Sequence, residues 1–466
     1  MLFNSLIFTL FLPIVFILYW LVPLRFRNYF LLLASYYFYY SYNPWFLFLL
    51  IGTSALDYWS ARQIVKRPQS KKFFLMLSLL SNLGVLFIFK YFVFTYNTTV
   101  HLFHLPFSIL HQLIIPAGLS FYTFQSISYT IDVYRGKYPP NDTLYEFLLY
   151  VSFFPHMVAG PVVKYNSLMP QLKAVTYFKN IDWKSFATLV TWGYFKKLVI
   201  ADNLGLIVTP VFNDVTGFSG FELLLAGFLF VVQVYCDFSG YSDIATGVAK
   251  LFNINLSLNW RRPLLSVSLH DFWQRNHISI TTWFRDYLYI GLGGNRVSYN
   301  RWLLNIFLVF LISGFWHGAN FTFVIWGAMH GIFYIGEILF MKKFPAVKVP
   351  KFIGWLYLIT FHTLSLVAFR ANTVQDLSYI YRKVLSFGDG YFMPQHLLLY
   401  HDKFFFAVIS FAIFLLALKE LNEEFAFVNR YPRLYNFSKP MAYIGFIVLI
   451  FMLGNFSANT FIYFQF

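Results

Sequence analysis

From Trp302 to Gly336 the sequence contains no Asp, Glu, Lys or Arg. A helix needs about 20 apolar residues to cross the roughly 30 Å hydrocarbon core of a bilayer, so this run can span, turn and enter again. At that depth every backbone N–H and C=O must be paired inside the protein, which leaves helices or closed barrels. Windows long enough, or nearly long enough, to span lie at about 2–20, 28–57 (as a hairpin), 73–96, 108–131, 145–161, 185–210, 219–236, 302–320, 322–341, 352–369, 403–420 and 440–456. The pattern predicts an all-α, polytopic integral membrane protein with about 11–13 transmembrane or re-entrant helices, the shorter windows being re-entrant or buried. With 59% hydrophobic and 12% charged residues, the chain is far from the roughly 25% charged content of soluble domains.

The net charge of +16 raises the question of nucleic acid. The Lys and Arg residues sit mostly in short loops between apolar windows, where positive charge sets membrane orientation, so nucleic acid is excluded and the lipid bilayer is the expected partner. Met1 to Trp20 has no positive n-region and no small-residue cleavage site, and reads as an uncleaved first helix. Arg25 and Arg27 follow it, which predicts an outer N-terminus and a cytoplasmic first loop. Arg62, Lys66, Arg67, Lys71 and Lys72 then fall on the cytoplasmic side, the stretch from Tyr96 to Pro106 lacks Lys and Arg, and Arg135 and Lys137 return after the next window. No low-complexity tract, repeat or appended soluble segment is visible, so residues 1–466 read as one integral domain. The single cysteine, Cys236, excludes an intramolecular disulfide and a paired-cysteine metal site.

Two polar stretches interrupt the pattern, at about 164–184 and 259–301. In the second, Trp273, His277, Ile280, Phe284 and Tyr287 recur at helical spacing, opposite Asp271, Arg275, Ser279, Thr282 and Asp286. This predicts one amphipathic helix near the interface plane, stopped by the glycine turn at 291–295.

The sequence holds no Gly-x-Ser-x-Gly elbow, no P-loop and no His-Glu-x-x-His, which leaves histidine as the candidate reactive group. Of the eleven histidines, His101, His104, His396 and His401 fall in connections, where solvated surface is the default, and His270 sits at a helix entry. His111, His156, His330 and His362 lie in or beside apolar runs and are not ranked by their context. His317 on a span and His277 on an apolar helix face remain. A lone intramembrane histidine serves as readily in structure as in chemistry, but two of them point to a shared site. A neutral imidazole can take a proton from a hydroxyl, the step that transfer to an acyl carbonyl requires. Trp316, Asn320 and Asn276 flank the two histidines and are candidate substrate-binding residues.

The blocks WHGAN at 316–320, RNHISITTWFRDYLYIGLGGNR at 275–296, YCDFSGYSDIATG at 235–247, FKKLVIADNL at 195–204 and FFPHMVAGP at 153–161 resemble those of the membrane-bound O-acyltransferase superfamily. The branch of the family that these blocks resemble is that of the alginate O-acetyltransferase membrane subunits, related to the teichoic-acid D-alanyl transfer protein. The resemblance runs nearly end to end and takes in the early YWLVPLRFRNYFLLLASYYFYY and late FRANTVQDLSYI segments.

The resemblance implies a ring of tilted helices around a thinned centre in a bacterial inner membrane, with a funnel from each side. It places the signature histidine on His317 and the second on His277, where one residue, Asn276, stands after Arg275; Gly291 occupies the place of a usual proline. The implied reaction moves an acyl group, most simply acetyl, from acetyl-CoA or an acyl-carrier thioester to a polysaccharide hydroxyl or a periplasmic transferase partner, with no bound cofactor or metal. Lys196 and Lys197 read either as contacts for donor phosphates or as positive-inside anchors, and Asp237 and Asp243 either as cavity residues or as groups joining helices. D-alanyl transfer, a transporter and a non-enzymatic scaffold are the alternative functions.

Overall fold

The computed structural model describes residues 1–104, 113–158, 160–386, 397, 403–427 and 432–457, the side chains of 432–438 excepted. Among these residues there are helices and no strand, as the apolar windows predict. Among the described residues five helices are long and apolar enough to cross a membrane: Pro68–Leu102, Gly220–Lys250, Phe321–Lys343, Lys351–Arg370 and Lys403–Phe425. Leu6–Leu21 and Lys439–Leu453 are shorter apolar helices. The chain forms two compact units, one of Met1–Val190 with Ser242–Leu258, the other of Thr191–Tyr241 with Asn259 onward.

In the first unit the predicted 28–57 hairpin is Arg27–Tyr40 and Pro44–Lys66, the second helix started by an Asn43 cap and a proline in its first turn. The buried Asp57 carboxylate accepts hydrogen bonds from Ser78 Oγ at 2.6 Å and Asn82 Nδ2 at 2.8 Å, tying this helix to Lys71–Leu86. The 145–161 window breaks at Phe153 into two short buried helices, Leu144–Ser152 and Phe154–Met157, so it does not span.

In the second unit the 302–341 run is a helical hairpin, Tyr299–His317 and Phe321–Lys343. Its helices meet at glycine. A methyl group added at Gly314 would lie 2.3 Å from the Phe323 carbonyl oxygen, and one at Gly327 would lie 2.5 Å from that of Phe310. Only glycine lets the two backbones approach this closely.

One expectation fails. The segment after Asn259 is two helices, Leu269–Arg275 and Ile278–Trp283, the second continuing into a π segment at Phe284–Tyr289. The break falls at His277, whose φ of 45° is left-handed and cannot continue an α-helix. The predicted inward face largely survives the break: His277, Ile280, Phe284 and Tyr287 are buried and Trp273 is half-buried.

The glycine contact generates a paired test. Gly327→Ala is expected to destabilise the protein by about 1–3 kcal/mol through overpacking, whereas Gly336→Ala, where an added methyl meets nothing within 4 Å, is neutral or mildly stabilising. Thermal unfolding of the purified variants in detergent checks the difference, and equal midpoints would contradict the close packing.

Candidate functional site

His317 is the last residue of the Tyr299–His317 helix, not a mid-span residue. Gly318, Ala319 and Asn320 link it to the next helix, and Asn320 caps that helix by accepting from the Thr322 amide at 3.2 Å. Asn320 Nδ2 donates to the Asn372 carbonyl at 2.8 Å, which anchors the linker. A side chain on Gly318 would enter the Phe323 ring. The His317 ring packs among Trp316, Trp326 and Phe369, with centroids 4.7, 5.1 and 5.2 Å away.

His277 is held by the extended segment that precedes its helices. The Arg261 amide donates to the Arg275 carbonyl at 2.9 Å, and the Ile278 amide to the Asn259 carbonyl at 2.9 Å. The Asn259 side-chain oxygen accepts from the Ser279 amide at 3.1 Å and stands 3.3 Å from His277 Nδ1. Because the Ser279 N–H requires an acceptor, the atom facing His277 is the amide oxygen, so Nδ1 carries the proton and Nε2 holds the lone pair. Burial pushes the His277 imidazolium down to about 3, which keeps the ring neutral at ordinary pH. Trp260 stacks on the ring at 5.5 Å and Phe238 lies at 4.8 Å.

The Leu269–Arg275 helix is fixed by Glu337, whose carboxylate accepts from the Leu269 amide at 2.7 Å and the His270 amide at 3.3 Å. His270 Nε2 accepts from Gln274 Nε2 at 2.8 Å, so its Nδ1–H donates to the Tyr334 hydroxyl at 2.8 Å.

These elements enclose a cavity of about 750 Å³ within the second unit. His277 and His317 both line it, as do Asn276, His270, His330 and His362, on a wall otherwise mostly apolar and aromatic. Arg261 and Arg285 are the charged lining residues, and no Asp, Glu or Lys joins them among the described residues. A largely apolar cavity carrying a few polar groups is the form of a small-molecule site.

Residues 143–379 match MBOAT, the membrane-bound O-acyltransferase family. The chain belongs to this family. It is 38% identical over 400 residues to a probable alginate O-acetylase of Pseudomonas aeruginosa, covering 83% of this chain and 75% of that protein. It is 36% identical over 415 residues to the peptidoglycan O-acetyltransferase of Helicobacter pylori, with 81% and 78% coverage. The teichoic acid D-alanyltransferase of Streptococcus thermophilus is more distant, at 26% over 251 residues, covering 50% of this chain and 59% of that protein. The protein is therefore a multi-pass membrane O-acyltransferase.

Of the five residues singled out in the sequence of this O-acyltransferase, the cavity gathers His317, His277 and Asn276. Trp316 and Asn320 are not in its wall: Trp316 is buried with its ring 5.9 Å from Phe284, and Asn320 serves as the cap described above. His330 and His362, which sequence context did not rank, do line it. Trp326 and His330 are spaced i, i+4 and so share one helix face, a signal visible in the sequence. His156 lies elsewhere, buried in the first unit with Nε2 3.2 Å from the Tyr150 carbonyl. His111, His396 and His401 fall outside the described residues.

The two lysines are neither exposed anchors nor cavity residues. Lys197 is buried between Asp202 at 2.7 Å and Asp237 at 2.6 Å, and Lys196 donates to Ser239 Oγ at 2.8 Å. They lie in a π segment, Phe195–Ala201. Asp237 thus joins helices.

The His277 environment predicts a pH dependence. An imidazole that titrates near 6.5 when unfolded and about 3 when folded makes the unfolded chain the stronger proton binder between those values, so stability falls as pH drops from about 6.5 toward 3. His156, lowered to about 4 by burial, acts in the same direction. His277→Asn, which tolerates the left-handed backbone, is expected to lose less thermal stability between pH 7.5 and pH 5 than the parent. Identical losses would contradict a neutral, buried His277.

Proposed function

We propose that this O-acyltransferase moves an acetyl group from a thioester donor at the cytoplasmic side to a hydroxyl at the outer face. The donor is acetyl-CoA or an acyl-carrier thioester, and the acceptor is a cell-surface polysaccharide or a hydroxyl of a periplasmic transferase partner. The observation that carries the reading is that His277 and His317 line one cavity. His317 acts as general base: its ring nitrogen takes the hydroxyl proton as the oxygen attacks the thioester carbon, the C–S bond breaks, and the leaving thiolate recovers the proton. His277 and Asn276 orient the substrate. His277 suits this task because Asn259 fixes its tautomer with an accepting Nε2.

The printed names of the relatives at 38% and 36% identity, an alginate O-acetylase and a peptidoglycan O-acetyltransferase, favour acetyl and a polysaccharide acceptor over D-alanyl and teichoic acid. Arg261 and Arg285 in the cavity wall suit the phosphates that either donor carries. The proposal treats residues 1–466 as one membrane-bound O-acyltransferase domain of the bacterial inner membrane, with the N-terminus outside as the loop charges indicate.

The test is acetyl transfer in proteoliposomes supplied with radiolabelled acetyl-CoA. His317→Ala at matched reconstitution is expected to lose transfer by about 10²–10⁴-fold. Transfer at the parental rate would refute the assignment of the base. Label that appears only when a purified acyl-carrier thioester replaces acetyl-CoA would identify the carrier as donor.

A further inference from the structure

Two carboxylates on one face of the Lys403–Phe425 helix, Glu420 and Glu424, have no part in the mechanism above. They stand one helical turn apart, and both reach the wall that carries His277 without lining the cavity themselves. Glu424 takes one arginine on each carboxylate oxygen: Arg262 Nε donates to Oε2 at 2.8 Å and Arg275 Nη1 to Oε1 at 2.9 Å. The arginines are distant in sequence, and each adjoins a residue of the cavity wall, Arg261 before one and Asn276 after the other. Glu420 reaches the same wall by a second route. It accepts from the Tyr235 hydroxyl, Tyr235 packs on Trp260 at 5.9 Å, and Trp260 stacks on His277 at 5.5 Å.

The backbone between the arginines gives such a clamp a purpose. Arg262 and His277 bound the segment, and both are left-handed, with φ of 48° and 45°. Residues other than glycine hold that conformation only where their surroundings fix it. Glu337 anchors the far end of the segment, at Leu269 and His270, and Glu424 anchors the end that carries Asn276 and His277. Charge-assisted hydrogen bonds are stronger than neutral ones, and the side chains of Arg275, Glu424 and Arg262 are only 16%, 21% and 24% exposed, so salt screens them in part. Neither arginine depends on Glu424 for a partner. Arg275 Nε also donates to Asp271 at 2.7 Å, and Arg262 Nη1 lies 3.5 Å from Glu423. What Glu424 supplies is the link between the two, so its removal loosens the ends of the segment without leaving a cation unpaired.

We propose that Glu424 is a positioning residue: one carboxylate shared by Arg262 and Arg275 holds Asn276 and His277 where they orient the substrate. Glu424 touches no reacting atom, and its role rests on the acyl-transfer reading above.

The experiment is acetyl transfer by the full-length protein in proteoliposomes, with kcat and KM for the thioester donor measured separately and the thermal midpoint taken on the same preparations. Glu424→Ala is expected to lower kcat about 10–100-fold, the effect of a misplacement of about 1 Å, with KM within about threefold of the parent. Glu424→Gln, whose amide offers an acceptor to one arginine only, gives a smaller fall. Glu423→Gln, which removes the longer and more exposed contact, stays within about twofold of the parent. In a protein that already carries Asn276→Ala and His277→Asn, Glu424→Ala is expected to lower kcat by less than about threefold more, because the groups it positions are gone. The same fall in both backgrounds, or a parental kcat for Glu424→Ala, would overturn the proposal. If Glu424→Ala does not fold, Arg262→Gln, which cuts one arm and leaves Glu424 paired with Arg275, takes its place in the same cycle. Failure of the acyl-transfer reading is seen separately: wild type then transfers from neither acetyl-CoA nor a carrier thioester, or the Asn276→Ala, His277→Asn protein transfers at the parental rate, and the positioning role falls with it.

Discussion

The site depends on backbone contact between two helices at Gly314 and Gly327. In lipid there is no hydrophobic gain from pressing one apolar helix on another, so association rests on close van der Waals packing, which small residues allow. Here the approach is tight enough that an added methyl would meet a carbonyl oxygen at 2.3 or 2.5 Å. That contact brings the end of the first helix, and with it His317, against the face of the second that carries Trp326 and His330. Gly331 repeats the contact one turn further on, against Phe307. The hairpin thereby sets the register of the cavity wall.

A second constraint is the placing of irregular backbone. Non-helical chain at membrane depth persists only where protein or a cavity satisfies it. The linker after His317 and the break at His277 are both satisfied inside the protein: Asn320 caps one, and the Asn259 backbone and side chain hold the other. Away from the cavity, the ion pairs of Lys197 with Asp202 and Asp237 join helices in the same unit. Tyr235, which lines the cavity, donates a short hydrogen bond to the buried Glu420. Buried charges of this kind are costly to leave unpaired, so removing one partner of the Lys197 group disturbs the fold before it informs on chemistry.

The helical class and the inward face of the 269–289 segment were legible in the sequence because apolar periodicity and burial share one cause. Helix ends were less so. Nothing in the residue pattern requires the chain to turn left-handed at His277, because the break is driven by tertiary hydrogen bonds from Asn259. For the same reason Trp316 and Asn320, adjacent to His317 in sequence, point to packing and capping, while His330 and His362, distant in sequence, reach the cavity. Lys196 and Lys197 read as phosphate contacts or positive-inside anchors because Asp237 and Ser239 come from a distant helix, and Asp202, five residues on, does not by itself signal burial. Proximity in sequence is a poor guide to a site assembled from several helices.

The central claim is that acyl transfer takes place in the cavity between His277 and His317. Its most direct test is a cryo-electron microscopy structure with acetonyl-CoA, in which a ketone replaces the thioester and cannot transfer. The account predicts the ketone group beside the His317 ring, in the cavity that His277 also lines. Ligand density elsewhere in the protein, with this cavity left without it, would contradict the claim.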